Sequence, residues 1–152
     1  TMIIASAYLL NYAFTAEGVP AHLAAWVNSL HLGQLAFLLL VNALFLVLGC
    51  FLDVSVMLLV FVPMLIPAAR VLGIDLVHFG VVVVVNMMIG LVTPPVGLCL
   101  FVVSGIAKVP IADIVSELTP YLIALLVVLV LVTYVPAFSL WLPHLLGYGV
   151  VK

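Results

Sequence analysis

Charge is what this sequence most lacks. Of its 152 residues, 5% are charged and 69% hydrophobic, where a soluble domain carries about a quarter charged residues. So little polar material cannot cover a water-facing surface, and a lipid bilayer is the solvent this composition fits. The 3 basic residues, Arg70, Lys108 and Lys152, and the net charge of −2 provide no patch for nucleic acid. The 2 cysteines, Cys50 and Cys99, stand apart inside apolar runs, without CxxC or Cys/His spacing, and read as small core residues. The 4 histidines, His22, His31, His78 and His144, pair with no carboxylate or second histidine at helical spacing and read as interface or loop residues. Asp113 and Glu117 share one helical face, which solvation explains. No nucleophile–base pair stands out, so an enzyme is not expected. The opening residues, TMIIASAYLLNYAF, carry no basic stretch and no cleavage site. They begin inside an apolar segment, as a fragment would whose N-terminal part lies upstream.

What is present is a series of apolar runs, read as helices because a backbone in lipid must satisfy itself. Residues 1–31 read as the end of a transmembrane helix, a break at TAEGVP, and a short helix from Pro20 with Trp26, Asn28 and two histidines, either interfacial or a plain surface helix of the bundle. Residues 32–70 hold two runs of about 17 residues each, at the lower edge of what spans a bilayer. Between them lies no polar loop, only Gly49 and Asp53. A re-entrant helical hairpin fits, with its tip inside the membrane; two ordinary spans with a tight turn are the alternative. Residues 71–107 read as a discontinuous transmembrane helix, with Gly73 ending the preceding helix and Asp75 capping the next. Residues 108–152 read as a short interfacial helix up to Pro120, then a span from Tyr121 to about Leu142, kinked or ended near Pro136. Trp141 and Tyr148 would anchor it at the interface.

The discontinuity is in GLVTPPVGLCLF, from Gly90 to Phe101. Pro94 and Pro95 remove two backbone donors, and their rings block carbonyls one turn back. The helix must unwind between residues 90 and 95, which lipid tolerates only if the freed carbonyls find partners. A sodium ion is a hard cation that takes neutral oxygens, and the carbonyls plus the Thr93 hydroxyl would supply them. The half-helix that starts at Pro95, passing Gly97, adds a positive dipole end for an anion. A packed proline kink is the bland alternative. Asp53 is a second candidate, because a carboxylate inside a membrane is expensive. It could ligate sodium, hold a proton, or cap the outgoing helix; Ser55 is a nearby oxygen donor. Asn86, two turns before Thr93, could line the same cavity or join a neighbouring helix by a hydrogen bond, and Asn42 has the same two readings.

Several motifs occur together: G-x-F-x-D at Gly49–Asp53, P-x-x-x-P at Pro63–Pro67, G-I-D-x-V-H-F-G at Gly73–Gly80, N-x-x-I-G-x-x-T-P-P-V-G at Asn86–Gly97, and SLWLP at Ser139–Pro143. The chain resembles the C-terminal half of the large membrane subunit of TRAP transporters (tripartite ATP-independent periplasmic transporters, DctM type), most densely from Gly49 to Val103. Leu76, where the family often has proline, departs from the pattern in a loop. The resemblance implies an all-α integral membrane fold: the second half of an inverted-repeat, elevator-type transporter. It implies sodium-coupled symport of a carboxylate-bearing organic solute across the bacterial cytoplasmic membrane, with sodium as coupling ion and no other cofactor. Expected partners are a small membrane subunit and a periplasmic substrate-binding protein. One sodium site would involve Gly49, Asp53, Thr93 and Pro94, with Asn86, Ser55, Pro95 and Gly97 lining the cavity. The resemblance also implies that the hairpin opens to the periplasm, which puts Lys108 on the cytoplasmic face and Arg70 and Lys152 opposite. From the residues alone, another sodium- or proton-coupled carrier with broken helices also fits. A membrane scaffold that moves nothing fits the hydropathy but leaves Asp53 and the double proline unexplained.

Overall fold

The computed structural model describes residues 2–29, 33–94 and 97–145. His31, Pro95, Tyr148 and Lys152 lie outside the described residues, and with them the roles read for them from the sequence. The described residues are helical throughout, joined by short turns. Helix α1 is Met2–Ala16 and α2 is Val19–Ser29. Gly18 turns between them at φ +68°, a left-handed conformation that a side chain would resist.

Helix α3 is Gln34–Gly49. After the turn at residues 50–53 the chain re-enters helix as α4, Val54–Val56, continues through a π turn at Met57–Phe61, and runs on as α5, Val62–Val71. The two arms come back together at their base, where Gln34 Nε2 donates to the Leu72 carbonyl at 2.9 Å. The π turn lies just ahead of Pro63, whose missing N–H would have gone to the Leu59 carbonyl. Asn11 of α1 reaches that carbonyl instead, at a long 3.4 Å.

Helix α6 is Leu76–Val92, capped by Asp75, whose Oδ1 accepts from the Val77 N–H at 2.7 Å and the His78 N–H at 3.3 Å. It runs parallel to α3, and this pair, together with α2 against α5, carries most of the packing. Phe37, Leu38, Val41 and Phe45 of α3 are buried with Phe79, Val83 and Met87 of α6. Both sets recur at helical spacing, so each is one stripe. The Phe37 and Phe79 rings stack with centroids 6.4 Å apart. At the far end of the seam the two backbones touch: a Cβ built on Gly90 would lie 2.9 Å from Gly49 Cα. Lipid offers no hydrophobic drive between helices, so small residues that let backbones approach do the joining.

Beyond the break, α7 is Leu98–Ala107, α8 is Ile111–Tyr134 and α9 is Pro136–Leu145. The sequence reads a short helix before Pro120 and a span after it; the structure has one continuous helix through Pro120. Pro120 withholds an N–H from the Ser116 carbonyl one turn back, and the helix runs through that loss; beside it, Thr119 Oγ1 donates to the Val115 carbonyl at 2.7 Å. Helices Val54–Val71 and Ile111–Tyr134 are long and apolar enough to cross a membrane. Two smaller expectations change. His78, read as an interface or loop residue, is buried, with Nδ1 2.6 Å from Ser139 Oγ, because α9 folds back onto α6. Cys99, read as a core residue, is exposed on α7, whereas Cys50 is buried.

The glycine contact makes a stability prediction. Gly90→Ala forces a methyl group into the Gly49 backbone, an overpacking that costs about 1–3 kcal/mol. Gly80 lies on the same helix with nothing within 4 Å of its built Cβ, so Gly80→Ala should hold or raise stability. Melting temperatures of the full-length protein in detergent check this, and a Gly90→Ala variant as stable as Gly80→Ala would show that the backbones do not touch.

Candidate functional site: a helix break against a hairpin tip

The turn after α3 and the break after α6 lie side by side because the two helices are parallel and in register. Gly49 and Gly90 are both buried and in backbone contact. Cys50, next on the tip, directs Sγ at the Leu46 carbonyl (3.1 Å) and towards the Pro94 carbonyl (3.7 Å). Thr93 leaves the helix with φ −91° and ψ 129°. Its hydroxyl donates to the Ile89 carbonyl at 2.6 Å, which uses the hydrogen and leaves the oxygen lone pairs as acceptors. Its N–H goes to the Gly90 carbonyl at 3.2 Å. Pro94 and Pro95 offer no N–H to the carbonyls four residues back, Gly90 and Leu91.

Gly97 restarts the chain at φ +35°, a conformation suited to glycine. A Cβ there would lie 3.0 Å from the Thr93 carbonyl and 2.9 Å from Leu100 Cδ1. Only a glycine therefore lets α7 begin against the break. A cavity of about 260 Å³ adjoins the tip, lined by Leu46, Val47, Cys50, Thr93, Leu122 and Leu126. Its wall is apolar, and the Thr93 hydroxyl is turned onto Ile89 instead.

The sequence-derived candidates divide into groups. Gly49, Thr93, Pro94 and Gly97 meet at one place. Asp53 is exposed at the end of the tip, where Oδ1 accepts from the Ser55 N–H at 2.8 Å and caps the outgoing helix. Among the described residues, neither Asp53 nor Ser55 hydrogen-bonds to α6 or α7. Asn86 lies deeper along the α3–α6 seam, wholly buried, and its Nδ2 donates to the Asn42 carbonyl at 3.0 Å and to Asn42 Oδ1 at 2.9 Å. Sequence reasoning named Gly90 only as a helix breaker and missed its contact with Gly49. The available signal was a glycine at the C-terminal end of each of two apolar runs.

The arrangement collects neutral oxygens and the C-terminal ends of two parallel helices, each with a partial negative charge near −0.5. It places the N-termini of the helices that follow, at Asp53 and Gly97, on the same end of the bundle. Such a site can hold a small hard cation and present positive dipole ends to an anion.

Comparison with known proteins agrees with the motifs. The sequence profile of the tripartite ATP-independent periplasmic transporter, DctM component, matches residues 1–138. A C4-dicarboxylate TRAP transporter large permease protein of Pseudomonas aeruginosa is 46% identical over 145 residues, covering 95% of this chain and 34% of the relative. A sialic acid TRAP transporter large permease protein of Vibrio cholerae is 40% identical over 149 residues, covering 97% of this chain and 35% of the relative. An isethionate TRAP transporter permease protein of Oleidesulfovibrio alaskensis is 36% identical over 140 residues, covering 92% of this chain and 22% of the relative. The chain thus spans about a third of the length of the first two. These relatives are transport permeases rather than enzymes. With a profile match over most of its length and relatives 36–46% identical, the chain belongs to the family of the DctM component of tripartite ATP-independent periplasmic transporters.

Proposed function

We propose that this chain supplies a sodium site and part of the solute path of a sodium-coupled secondary transporter. The solute is an organic molecule bearing a carboxylate or similar anionic group. The complete transporter lies in the bacterial cytoplasmic membrane and works with a small membrane subunit and a periplasmic substrate-binding protein. Residues 32–70 act as a re-entrant hairpin, and the hairpin with the broken helix moves as an elevator against a scaffold that includes α8.

The observation that carries this reading is the meeting of the α3 and α6 C-termini at Gly49 and Gly90. Two negative dipole ends, a Leu91 carbonyl to which Pro95 can offer no N–H, and a threonine oxygen whose lone pairs stay open suit a monovalent cation. In a low-dielectric surround such oxygens attract it far more strongly than in water. The solute's anionic group would then lie at the N-termini that begin at Asp53 and Gly97, as broken-helix transporters arrange it. Sodium and solute stabilise each other electrostatically there, and coupling needs such a mutual dependence. The relatives' solutes, C4-dicarboxylates, sialic acid and isethionate, are all anionic near neutral pH. The direct test is uptake of these three into liposomes that hold the complete transporter, with sodium or choline outside. Uptake of any of them at equal rates in sodium and choline would overturn the coupling.

Thr93→Val keeps the side-chain shape and replaces the hydroxyl with a methyl group. A lost charge-assisted ligand contact is worth roughly 1.5–3 kcal/mol, so apparent sodium affinity should fall about 10- to 150-fold. Thr93→Ser keeps the oxygen and should stay close to wild type. Equal, unperturbed sodium dependence in both variants would reduce the break to a packing kink.

Asp53→Asn separates two roles. Asparagine caps a helix about as well as aspartate, so folding and melting temperature should be retained. If the Asp53 charge serves the ion or the coupling, sodium-driven uptake should drop. Uptake at the wild-type rate would leave Asp53 with the cap alone.

A further inference from the structure

A buried chain of hydrogen bonds runs beneath the candidate site and ties three helices together. Asn86 of α6 donates through Nδ2 to the Asn42 carbonyl (3.0 Å) and to Asn42 Oδ1 (2.9 Å). Asn42 of α3 donates through its own Nδ2 to Thr133 Oγ1 of α8 at 2.8 Å. Thr133 passes its hydrogen to the Leu129 carbonyl at 2.7 Å. Asn86 and Thr133 are 0% exposed and Asn42 is 5% exposed. The donors all point one way, towards α8, and the chain ends on a backbone acceptor. At its start, Asn86 Oδ1 is buried with no partner.

The spacing ties this relay to the site above it. Asn42 and Gly49 are seven apart on α3, and Asn86 and Gly90 are four apart on α6, so each pair lies on one face of its helix. Both faces are the ones that meet, since Asn42 bonds Asn86 and Gly49 touches Gly90. The rest of the packed stripe is Phe, Val, Leu and Met, which fixes register by shape alone. The hydrogen bonds add to this: a shift of one residue, about 1.5 Å of helix rise, would break both Asn86 donations. An apolar residue at position 86 would take from the buried Asn42 Oδ1 the donor it has here, so Asn42 and Asn86 work as a pair.

We infer that Asn42, Asn86 and Thr133 are positioning residues that set the axial register of α3 against α6 in the conformation seen here, where the pair is held on α8. They thereby set sodium affinity at the break without touching the ion. The inference rests on the sodium reading of that site. Loss of the relay lets the Gly49 and Gly90 carbonyls drift apart, and sodium meets a looser cage.

The test is a sodium titration of melting temperature with the purified full-length permease in detergent, choline chloride holding ionic strength constant. It needs no solute. Thr133→Val keeps shape and removes the relay's anchor; Asn86→Leu removes its origin. Both should raise the half-saturating sodium concentration about 2- to 30-fold, the range by which residues remote from a ligand modulate its binding. Thr133→Ser restores the oxygen and should return wild-type sodium dependence. Melting temperature without sodium is the readout of a merely structural role. If Thr133→Val lowers that temperature while its half-saturating sodium stays at the wild-type value, the relay is packing and the inference falls, whether or not Asn86→Leu folds. A wild-type protein that sodium does not stabilise defeats the sodium reading itself, and this outcome precedes any variant.

Discussion

A hydrocarbon surround offers no hydrogen bonds, so a helix can be interrupted within it only where other protein atoms take over the freed groups. That constraint organises this chain. Where Pro63 denies the Leu59 carbonyl a donor, Asn11 approaches from α1. Where the hairpin restarts, Asp53 takes the Ser55 N–H. Where α6 ends, Thr93 turns its hydroxyl back onto Ile89 and its N–H onto Gly90. Where α7 gives way to α8, Ser104 Oγ reaches the Val109 carbonyl at 2.7 Å. The polar side chains of this sequence are few, and many are spent on this work. At the double-proline break Pro94 and Pro95 withhold donors from the Gly90 and Leu91 carbonyls, and the Thr93 N–H restores one to Gly90.

The parallel course of α3 and α6 converts those breaks into a site. Antiparallel neighbours would set a C-terminal end beside an N-terminal one and cancel the dipoles. Parallel neighbours put like ends together, and here the two C-terminal ends meet at glycines with no side chain to separate them. The hairpin makes this possible: its return arm brings the chain back to the base, where Gln34 holds Leu72, before α6 rises beside α3. Turning chemistry, helix packing and electrostatics are thus one arrangement. A cation placed there would offset the like-sign ends that the fold has assembled.

Much of the secondary structure was legible because the strongest signals were local. Proline cannot donate, Asp75 sits where a cap must sit, and Gly73 takes the positive φ of +71° that follows a helix. Pro120 misled for an equally local reason: its breaking tendency is plain in the chain, whereas a 24-residue helix runs on through the loss of one bond. The same division holds at the site. Thr93 and Pro94 are visible as a break. That Gly90 faces Gly49, or that Asn86 finds Asn42 and through it Thr133, depends on residues some 41 to 91 positions apart in the numbering.

The sequence by itself determined a helical chain for a lipid solvent, the positions of its breaks, and through its motifs the family. Those follow from hydropathy and from the backbone limits of proline and glycine, which act within a turn or two. The tertiary structure decided which break meets which tip, that Asn86 serves a helix seam, and that Asp53 caps its own helix at an exposed end. Pairing across helices is set by register, which packed stripes and buried amides fix together, so each residue's partner depends on residues far away in the chain.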